Sequence, residues 1–297
     1  MSLWNLRLFV IGLSLISAAT ARAAIVANFD GGNGIVSSDQ WTGIAGNGWA
    51  TGWGQGGTAT GSTTVTTTSP LSGGGNYLSV VDDTTSTGSY VRRQYQSFGD
   101  VDITQSYRIS LSFRFDGNMT DFTGFNDRLA IFGDSTAQVG TGASNSWIIG
   151  VAGGNSGAGA GQSVYPGEWY FIDNNGTNAF ATANMFDTNL ALVGGRVYNI
   201  IVDVNAITGT YGASIDDGVN PVVSASNLTF RNGGTAVSSF FHAGVNGSLA
   251  ADNSAFSIDN ISITAIPEPA GITAILSACL GVGWMFGKRL RKKITNA

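Results

Sequence analysis

The chain has 297 residues, of which 43% are hydrophobic and only 11% charged, and 43 of them are glycine. Residues 24–266 hold seven arginines and eighteen acidic residues, a formal charge of −11, whereas every lysine lies in the last ten positions. So acidic a region lacks the cations that the phosphate backbone requires, which excludes a nucleic-acid-binding function. A single cysteine, Cys279, and a single histidine, His242, exclude a disulfide and a histidine-cluster metal site.

Residues 1–23 have the pattern of a secretory signal peptide. Arg7 precedes an apolar run from position 8 to 16, and small residues follow, ending in Ala21-Arg22-Ala23. An A-x-A sequence after a short apolar segment is typical of a signal peptidase site, so we expect the mature chain to begin at Ala24. The alternative is an uncleaved signal anchor, against which the short apolar run argues.

Residues 24–265 are predicted to form one all-β domain, a single antiparallel β-sandwich. Residues 107–115 alternate most clearly, with Ile109, Leu111, Phe113 and Phe115 on one face. Other strands are predicted, in chain order, at 77–81, 89–95, 128–132, 147–151, 169–172, 196–204, 210–215, 222–230, 239–245 and 255–265. Segments rich in Gly, Asn and Asp separate them, which favours a sandwich or jelly roll. Residues 31–75, rich in Gly and Thr, are predicted to form long loops and a hairpin over its rim.

The order of these segments resembles that of the concanavalin-like lectin/glucanase and LamG-like jelly rolls. Ala27-Asn28-Phe29-Asp30 opens the domain and Ile258-Asp259-Asn260 lies in the segment that closes it. The resemblance implies that the first and last strands pair as neighbours. It also implies that Asp30 and Asp259 clamp a structural Ca²⁺, with backbone carbonyls completing the oxygen shell. The alternative is that each carboxylate caps a turn near a sheet end.

Tryptophans are the candidate ligand-binding residues. Trp41, Trp49 and Trp53 crowd a glycine-rich segment, where exposed rings would stack on sugars, so these three residues form a predicted glycan-binding site. The alternative is that they belong to the core, which is the interpretation we favour for Trp147 and Trp169 on predicted strands.

No catalytic residue is predicted, and we expect a non-enzymatic protein. Glu168 is the only glutamate of the domain, and no E-x-D-x-x-E pattern accompanies it. No G-x-S-x-G elbow would present a serine to His242, which is expected on a strand, facing solvent or bonded to the backbone. Two alternatives stay open. One is a polysaccharide-active hydrolase or lyase of the same fold, and the other is an ice- or surface-adsorbing protein, which requires a flat array of threonines 63, 64, 66, 67 and 68.

The C-terminal residues 266–297 have three parts in a fixed order. Pro267-Glu268-Pro269 breaks any regular structure. An apolar segment follows, predicted to be a transmembrane helix over about 270–287. Five cations follow that segment: Lys288, Arg289, Arg291, Lys292 and Lys293. Because such cations stay in the cytoplasm, the domain is expected on the other side of the membrane.

This ordered set resembles the PEP-CTERM sorting signal. The resemblance implies a partner, an exosortase-type membrane peptidase, and an inner-membrane intermediate that is processed and delivered to the cell surface or outside the cell. It also implies a bacterium that makes exopolysaccharide or biofilm, so exopolysaccharide or another glycan is the expected ligand. The alternative is a plain C-terminal anchor that is never cleaved.

Overall fold

The computed structural model describes residues 24–27, 29, 34–35, 49–50, 52–57, 62–67, 69–71, 74–81, 89–94, 101–122, 127–136, 144–153, 166–173, 184–231, 239–246 and 255–266. The chain divides into two compact units, Met1–Ala265 and Ile266–Ala297. The predicted signal peptide, the Pro267-Glu268-Pro269 motif, the predicted span 270–287 and the basic residues after it lie outside the described ranges. Within those ranges, no helix combines the length and apolarity needed to cross a membrane.

The described residues form sixteen strands and one turn of 3-10 helix, Met119–Asp121. The strands are β1 (Ala24–Ala27), β2 (Gly34–Ile35), β3 (Gly54–Gly57), β4 (Ser62–Thr66), β5 (Tyr77–Val81), β6 (Ser89–Gln94), β7 (Ser106–Phe115), β8 (Arg128–Asp134), β9 (Asn145–Ala152), β10 (Glu168–Ile172), β11 (Met185–Ala191), β12 (Val197–Asn205), β13 (Thr210–Asp216), β14 (Val223–Thr229), β15 (Phe240–Asn246) and β16 (Ala255–Ala265).

The strands make two antiparallel sheets, which confirms the predicted all-β sandwich. Sheet I has the order β14-β13-β12-β7-β16-β5-β4-β2, with β1 also paired to β16. Sheet II has the order β11-β10-β9-β8-β15-β6-β3. The chain crosses repeatedly between the sheets, as in a jelly roll, so that β15 and β16 end in the middle of different sheets.

The first and last strands of the domain pair, as the resemblance implied. Ala24 opposes Thr264 and Ala27 opposes Ile261, while the first half of β16 pairs with β5 instead. Strand β16 is therefore long enough to hold two shorter strands end to end along one side. Its other side pairs with β7 and carries a bulge between Asp259 and Ser262.

The core lies between the two sheets. The predicted inward face of β7 is confirmed, since Ile109, Phe113 and Phe115 are fully buried and Leu111 nearly so. The ring of Phe113 meets the edge of Trp169 from sheet II, with centroids 5.8 Å apart and an interplanar angle of 86°. Trp147 and Trp169 are both fully buried, which confirms their assignment to the core.

The described parts of residues 31–75 include strands that were predicted as loops. They supply β2 and β4 to sheet I and β3 to sheet II, because pairing satisfies the backbone even where glycine gives no side-chain signal. In β4, Thr63 is buried whereas Thr64 and Thr66 point to the other face. The described threonines therefore do not form the flat array that an ice-adsorbing surface requires, since side chains alternate along a strand.

Candidate ligand-binding face

Two of the three predicted ligand-binding tryptophans lie in the core, so their expected exposure in a loop is wrong. Trp53 is 0% exposed and Trp49 is 8% exposed. Their rings contact each other at 5.8 Å, and Trp53 meets Phe241 edge-on at 6.2 Å. The guanidinium of Arg93 lies 4.8 Å from the ring of Trp49. The physical reason is that Trp53 leads into β3, whose pairing with β6 turns the ring between the sheets. Trp41 lies outside the described residues.

Asp259 lies buried at the bulge of β16. Its Oδ1 accepts a hydrogen bond from the backbone N–H of Asn260 at 2.7 Å, and its Oδ2 accepts one from the Asn260 side chain at 3.3 Å. Both contacts join neighbouring residues of the chain. Asp30 lies outside the described residues, so the calcium clamp stays a prediction. Among the described side chains, no three of the types His, Cys, Asp and Glu come close enough together to hold a metal ion.

The outer face of sheet II, which points away from the core, carries a second group of buried side chains. Directly opposed residues of antiparallel strands share a face. The pairs Phe132 with Ile148 and Tyr170 with Gly150 therefore lie on this side, opposite the core residues that alternate with them. The apolar part of this face consists of Phe132, Ile148, Ala152, Tyr170, Ile172 and Met185.

A hydrogen-bonded polar chain crosses the same face. Nη1 of Arg231 donates to Oδ1 of Asn145 at 2.8 Å, and Nδ2 of Asn145 donates to Oδ2 of Asp134 at 2.8 Å. The other oxygen of Asp134 accepts from the N–H and the hydroxyl of Thr136 at 2.8 and 3.0 Å. Asp134 is 0% exposed. A bulge between Phe132 and Asp134 brings this carboxylate opposite Asn145.

His242 lies beside this chain, and it is 0% exposed rather than solvent-facing. Its Nε2 is 3.2 Å from the carbonyl oxygen of Thr136, which confirms the expected bond to the backbone. Burial lowers the pKa of His242 to about 4, although the charge of Asp134 and the bond to Thr136 act in the opposite direction. The imidazole is therefore neutral at pH 7. With the proton on Nε2 donated to Thr136, Nδ1 is an acceptor, and it has no partner among the described residues.

The charges of Arg128 and Arg231 both affect the pKa of the Tyr170 phenol. Tyr170 lies across Gly150 towards β8, and its hydroxyl is only 2.7 Å from where a Cβ of residue 150 would stand. Burial raises the pKa of Tyr170, and the charges of Arg128 and Arg231 oppose that rise. Burial also lowers the pKa of both arginines, and the charge of Arg128 lowers that of Arg231 further. The two guanidinium groups and the phenol thus form one electrostatic group.

The arginines of the domain are distributed unevenly. Arg108, Arg114 and Arg196 each bridge to an aspartate, namely Asp203, Asp116 and Asp217. Arg93 lies over the core tryptophans. The remaining three, Arg92, Arg128 and Arg231, belong to the outer face of sheet II, where Arg92 stands opposite His242. Sequence reasoning missed this face, because its members come from strands far apart in the chain and only pairing brings them together.

A concave surface lies on the outer face of sheet I. It is a shallow groove of about 490 Å³ across β12, β13 and β14, floored by hydroxyls and amides such as those of Asn205, Ser214 and Ser226. Its carboxylate, Asp203, is bound by Arg108 through two hydrogen bonds of 2.6 and 2.8 Å. The groove is thus open and polar, in contrast to the outer face of sheet II, whose apolar side chains are buried.

Glu168 begins β10, one residue before the predicted strand 169–172. Burial, and next the charge and hydrogen bond of Asp187 on β11, raise the pKa of Glu168. Glycoside hydrolases hold their two carboxyl groups roughly 5–9 Å apart so that the glycosidic bond and water fit between them. Glu168 and Asp187 share a hydrogen bond instead, so this pair lacks that spacing.

No family model matches this chain, and no curated protein matches it. Solved structures do. Lectin I from Ulex europaeus, in complex with the methyl glycoside of α-L-fucose, is 12% identical with a TM-score of 0.47, over 82% of this chain and 98% of the lectin. The catalytic domain of the glycoside hydrolase family 131 protein from Coprinopsis cinerea is 13% identical with a TM-score of 0.45, over 70% of this chain and 78% of that domain. A sialidase is 8% identical with a TM-score of 0.42, over 77% of this chain but only 18% of the sialidase.

Proposed function

We propose that this chain is an exported surface or matrix protein that binds a glycan, without cleaving it, on the outer face of sheet II. The observation that carries the proposal is the convergence of Arg128, Arg231, Asn145 and His242 beside an aromatic and aliphatic floor. Ligand sites combine such an apolar floor with a few oriented polar groups and ionisable residues of shifted pKa.

The chemistry of the face suits a sugar. A sugar ring offers apolar C–H faces and hydroxyls that both donate and accept. The half-buried side chains of Arg128 and Arg231 supply donors, and the half-buried ring of Tyr90 supplies an aromatic face. Asn145, His242 and the apolar floor are buried and support these groups from beneath. Because Asn145 is held by Asp134 and accepts from Arg231, it orients this guanidinium before a ligand arrives, which lowers the entropy lost on binding.

The experiment is calorimetric binding of the full-length protein to a panel of neutral and acidic polysaccharide fragments, with and without calcium. The Asn145→Ala variant is compared with Asn205→Ala, the matched change in the groove of sheet I. We expect binding to weaken in Asn145→Ala alone. Thermal unfolding of each variant checks its fold, and Tyr90→Ala, a half-buried ring 5.8 Å from His242, provides a second test of the face.

Three results would overturn the proposal. The first is that no fragment binds, and the second is that Asn205→Ala weakens binding while Asn145→Ala and Tyr90→Ala do not. The third is that the fragments are cut during incubation, which new reducing ends or unsaturated products would reveal. That result would favour the hydrolase or lyase alternative.

We further propose that residues 266–297 direct the protein to an exosortase-type peptidase, as the resemblance of Pro267-Glu268-Pro269 and its basic end implies. In a host that makes such a peptidase, Glu268→Gln should stay in the inner-membrane fraction with an unshortened mass. Glu168→Gln, a matched change at the other glutamate, should be processed like the natural chain. Equal processing of both variants would refute the role of the motif.

A further inference from the structure

We propose that Asn118 is a glycosylation site, at which a transferase moves an oligosaccharide from a polyprenyl diphosphate carrier to the side-chain nitrogen after export. The inference rests on the proposed export of the chain and not on the proposed glycan-binding face. Five Asn-x-Ser/Thr triplets occur in the sequence, and they begin at positions 118, 175, 227, 246 and 260. Such a triplet is the acceptor for glycosyl transfer to asparagine, and the structure describes three of the five completely, those at 118, 227 and 260.

The first of these triplets lies on a surface turn between β7 and the turn of 3-10 helix. The N–H of Gly117 donates to the carbonyl oxygen of Ala255 at 3.0 Å, which ties the turn to the start of β16. Met119 is half-buried and packs against the core, whereas Asn118 and Thr120 are exposed. The backbone of the turn is therefore held in place while both residues that define the triplet face solvent.

The side chain of Asn118 is oriented by one hydrogen bond. Its Oδ1 accepts from the backbone N–H of Thr120 at 3.1 Å, the bond that an asparagine makes to the backbone two residues further on. This bond keeps Thr120 beside the amide and leaves both hydrogens of Nδ2 without a partner among the described residues. It also polarises the amide, so that Nδ2 gives up a proton more readily. The nucleophilic nitrogen is thus the exposed end of the group.

The transfer balances without oxidation or reduction. Nδ2 of Asn118 attacks C1 of the first sugar and forms a C–N bond, while the bond from C1 to the diphosphate oxygen breaks. The diphosphate leaves with the electron pair, and a base of the transferase takes one proton from Nδ2. This chain therefore has to supply only an accessible amide and the neighbouring hydroxyl of the triplet.

The other two described triplets hold the same groups less openly. In the triplet that begins at Asn227, the N–H and the hydroxyl of Thr229 both donate to Asp173, at 2.8 and 2.9 Å. In the last triplet, Nδ2 of Asn260 donates to Asp259 at 3.3 Å, within a strand that is paired on both sides. The structure therefore distinguishes the first triplet from two others that have the same motif.

The test is mass spectrometry of the mature protein recovered from the cells that produce it naturally. Trypsin cuts after Arg114 and Arg128 and releases the peptide 115–128, which contains Asn118. This peptide should be heavier by a whole number of sugar residues, and its fragment ions should place them on Asn118. The peptides that hold the other two described triplets should carry no sugar.

Variants produced in the same cells separate the motif from the fold. Asn118→Gln should lose the sugar, whereas Asn227→Gln, the same change on sheet I, should keep it. Thr120→Ala should lose the sugar and Thr120→Ser should keep it, because only serine supplies the hydroxyl. Both substitutions preserve the backbone N–H that bonds to Asn118, so the pair compares the hydroxyl within the same turn.

Four results would overturn the inference. The first is an unmodified peptide 115–128 in a chain that begins at Ala24, which would leave the proposed export standing. The second is a sugar that persists in Asn118→Gln or in Thr120→Ala, and the third is a sugar on Asn227 or Asn260 with Asn118 unmodified. The fourth is a chain that keeps residues 1–23, which would refute the proposed export and this inference together.

Discussion

The imidazole of His242 lies flat against the ring of Phe132, with centroids 4.8 Å apart and an interplanar angle of 6°. The two residues oppose each other on β15 and β8, on the side of sheet II away from the core. The stack removes the imidazole from water, and this burial is why its pKa falls to about 4. The stack therefore links the packing of this face to its behaviour with pH.

That link predicts acid sensitivity. In the unfolded chain His242 takes up a proton near pH 6.5, and in the folded protein only near pH 4. Since the unfolded state binds more protons in this window, stability falls as the pH drops from 6.5 to 4, by on the order of 3 kcal/mol. His242→Phe keeps the stack and removes the titration. Urea unfolding at pH 7 and pH 4.5 should show a smaller loss in His242→Phe, and an equal loss in both proteins would contradict the assignment.

Gly150 leaves the space that the Tyr170 side chain occupies. A Cβ at this position would lie 2.7 Å from the Tyr170 hydroxyl and 2.8 Å from the carbonyl oxygen of Leu129. Gly150→Ala should therefore destabilise the protein by about 1–3 kcal/mol through overpacking. Gly194→Ala is the control, because the atoms nearest its added Cβ stand at 3.6 Å. Chemical denaturation measures the stability of both variants. Equal unfolding midpoints for Gly150→Ala and Gly194→Ala would show that Tyr170 does not occupy this space.

The carboxyl pair on β10 and β11 predicts a stabilising substitution. The pKa of Glu168 is raised by burial first and then by Asp187, so the folded protein keeps this proton to higher pH than the unfolded chain. Above about pH 4.5, the ordinary pKa of a glutamate, the unfolded chain loses this proton more readily than the folded protein. The free energy of unfolding therefore falls as the pH rises. Glu168→Gln should melt higher than the natural protein at pH 7, and the difference should vanish in acid.

Asp102 supplies the opposite control. Hydrogen bonds from Thr104 lower its pKa, so Asp102→Asn should melt lower at pH 7. If both variants shifted in the same direction, a general effect of net charge would explain the result better than the pairing of Glu168 with Asp187.

Trp53 distinguishes a core residue from a ligand-binding one. Trp53→Phe should lower the free energy of unfolding by about 1–3 kcal/mol, because the indole packs against Trp49, Phe241 and Arg93. The glycan affinity of the folded variant should be unchanged. A Trp53→Phe variant with normal stability but weakened glycan binding would show that Trp53 contacts the ligand.

Strands with clear alternation were predictable from local sequence. Residues 255–265 were predicted as a strand with the bounds that β16 has, and the inward face of β7 followed from its pattern. Strand β11 was missed, because Met185–Ala191 interrupts its alternation with Asp187, Thr188 and Asn189. Strand β3 was missed because Gly54–Gly57 has only one side chain. In both, pairing with a neighbour outweighs weak local preference.

By itself, the sequence determined the all-β class and the absence of the catalytic motifs sought, because alternation and short motifs are local properties of a chain. The pairing of the first and last strands was implied by the resemblance to jelly rolls. Only the tertiary structure decided that Trp49 and Trp53 belong to the core, and that Arg128, Asn145, Arg231 and His242 share one face. Residues more than a hundred positions apart meet there because strand register, set by the packing of both sheets, fixes which side chains become neighbours.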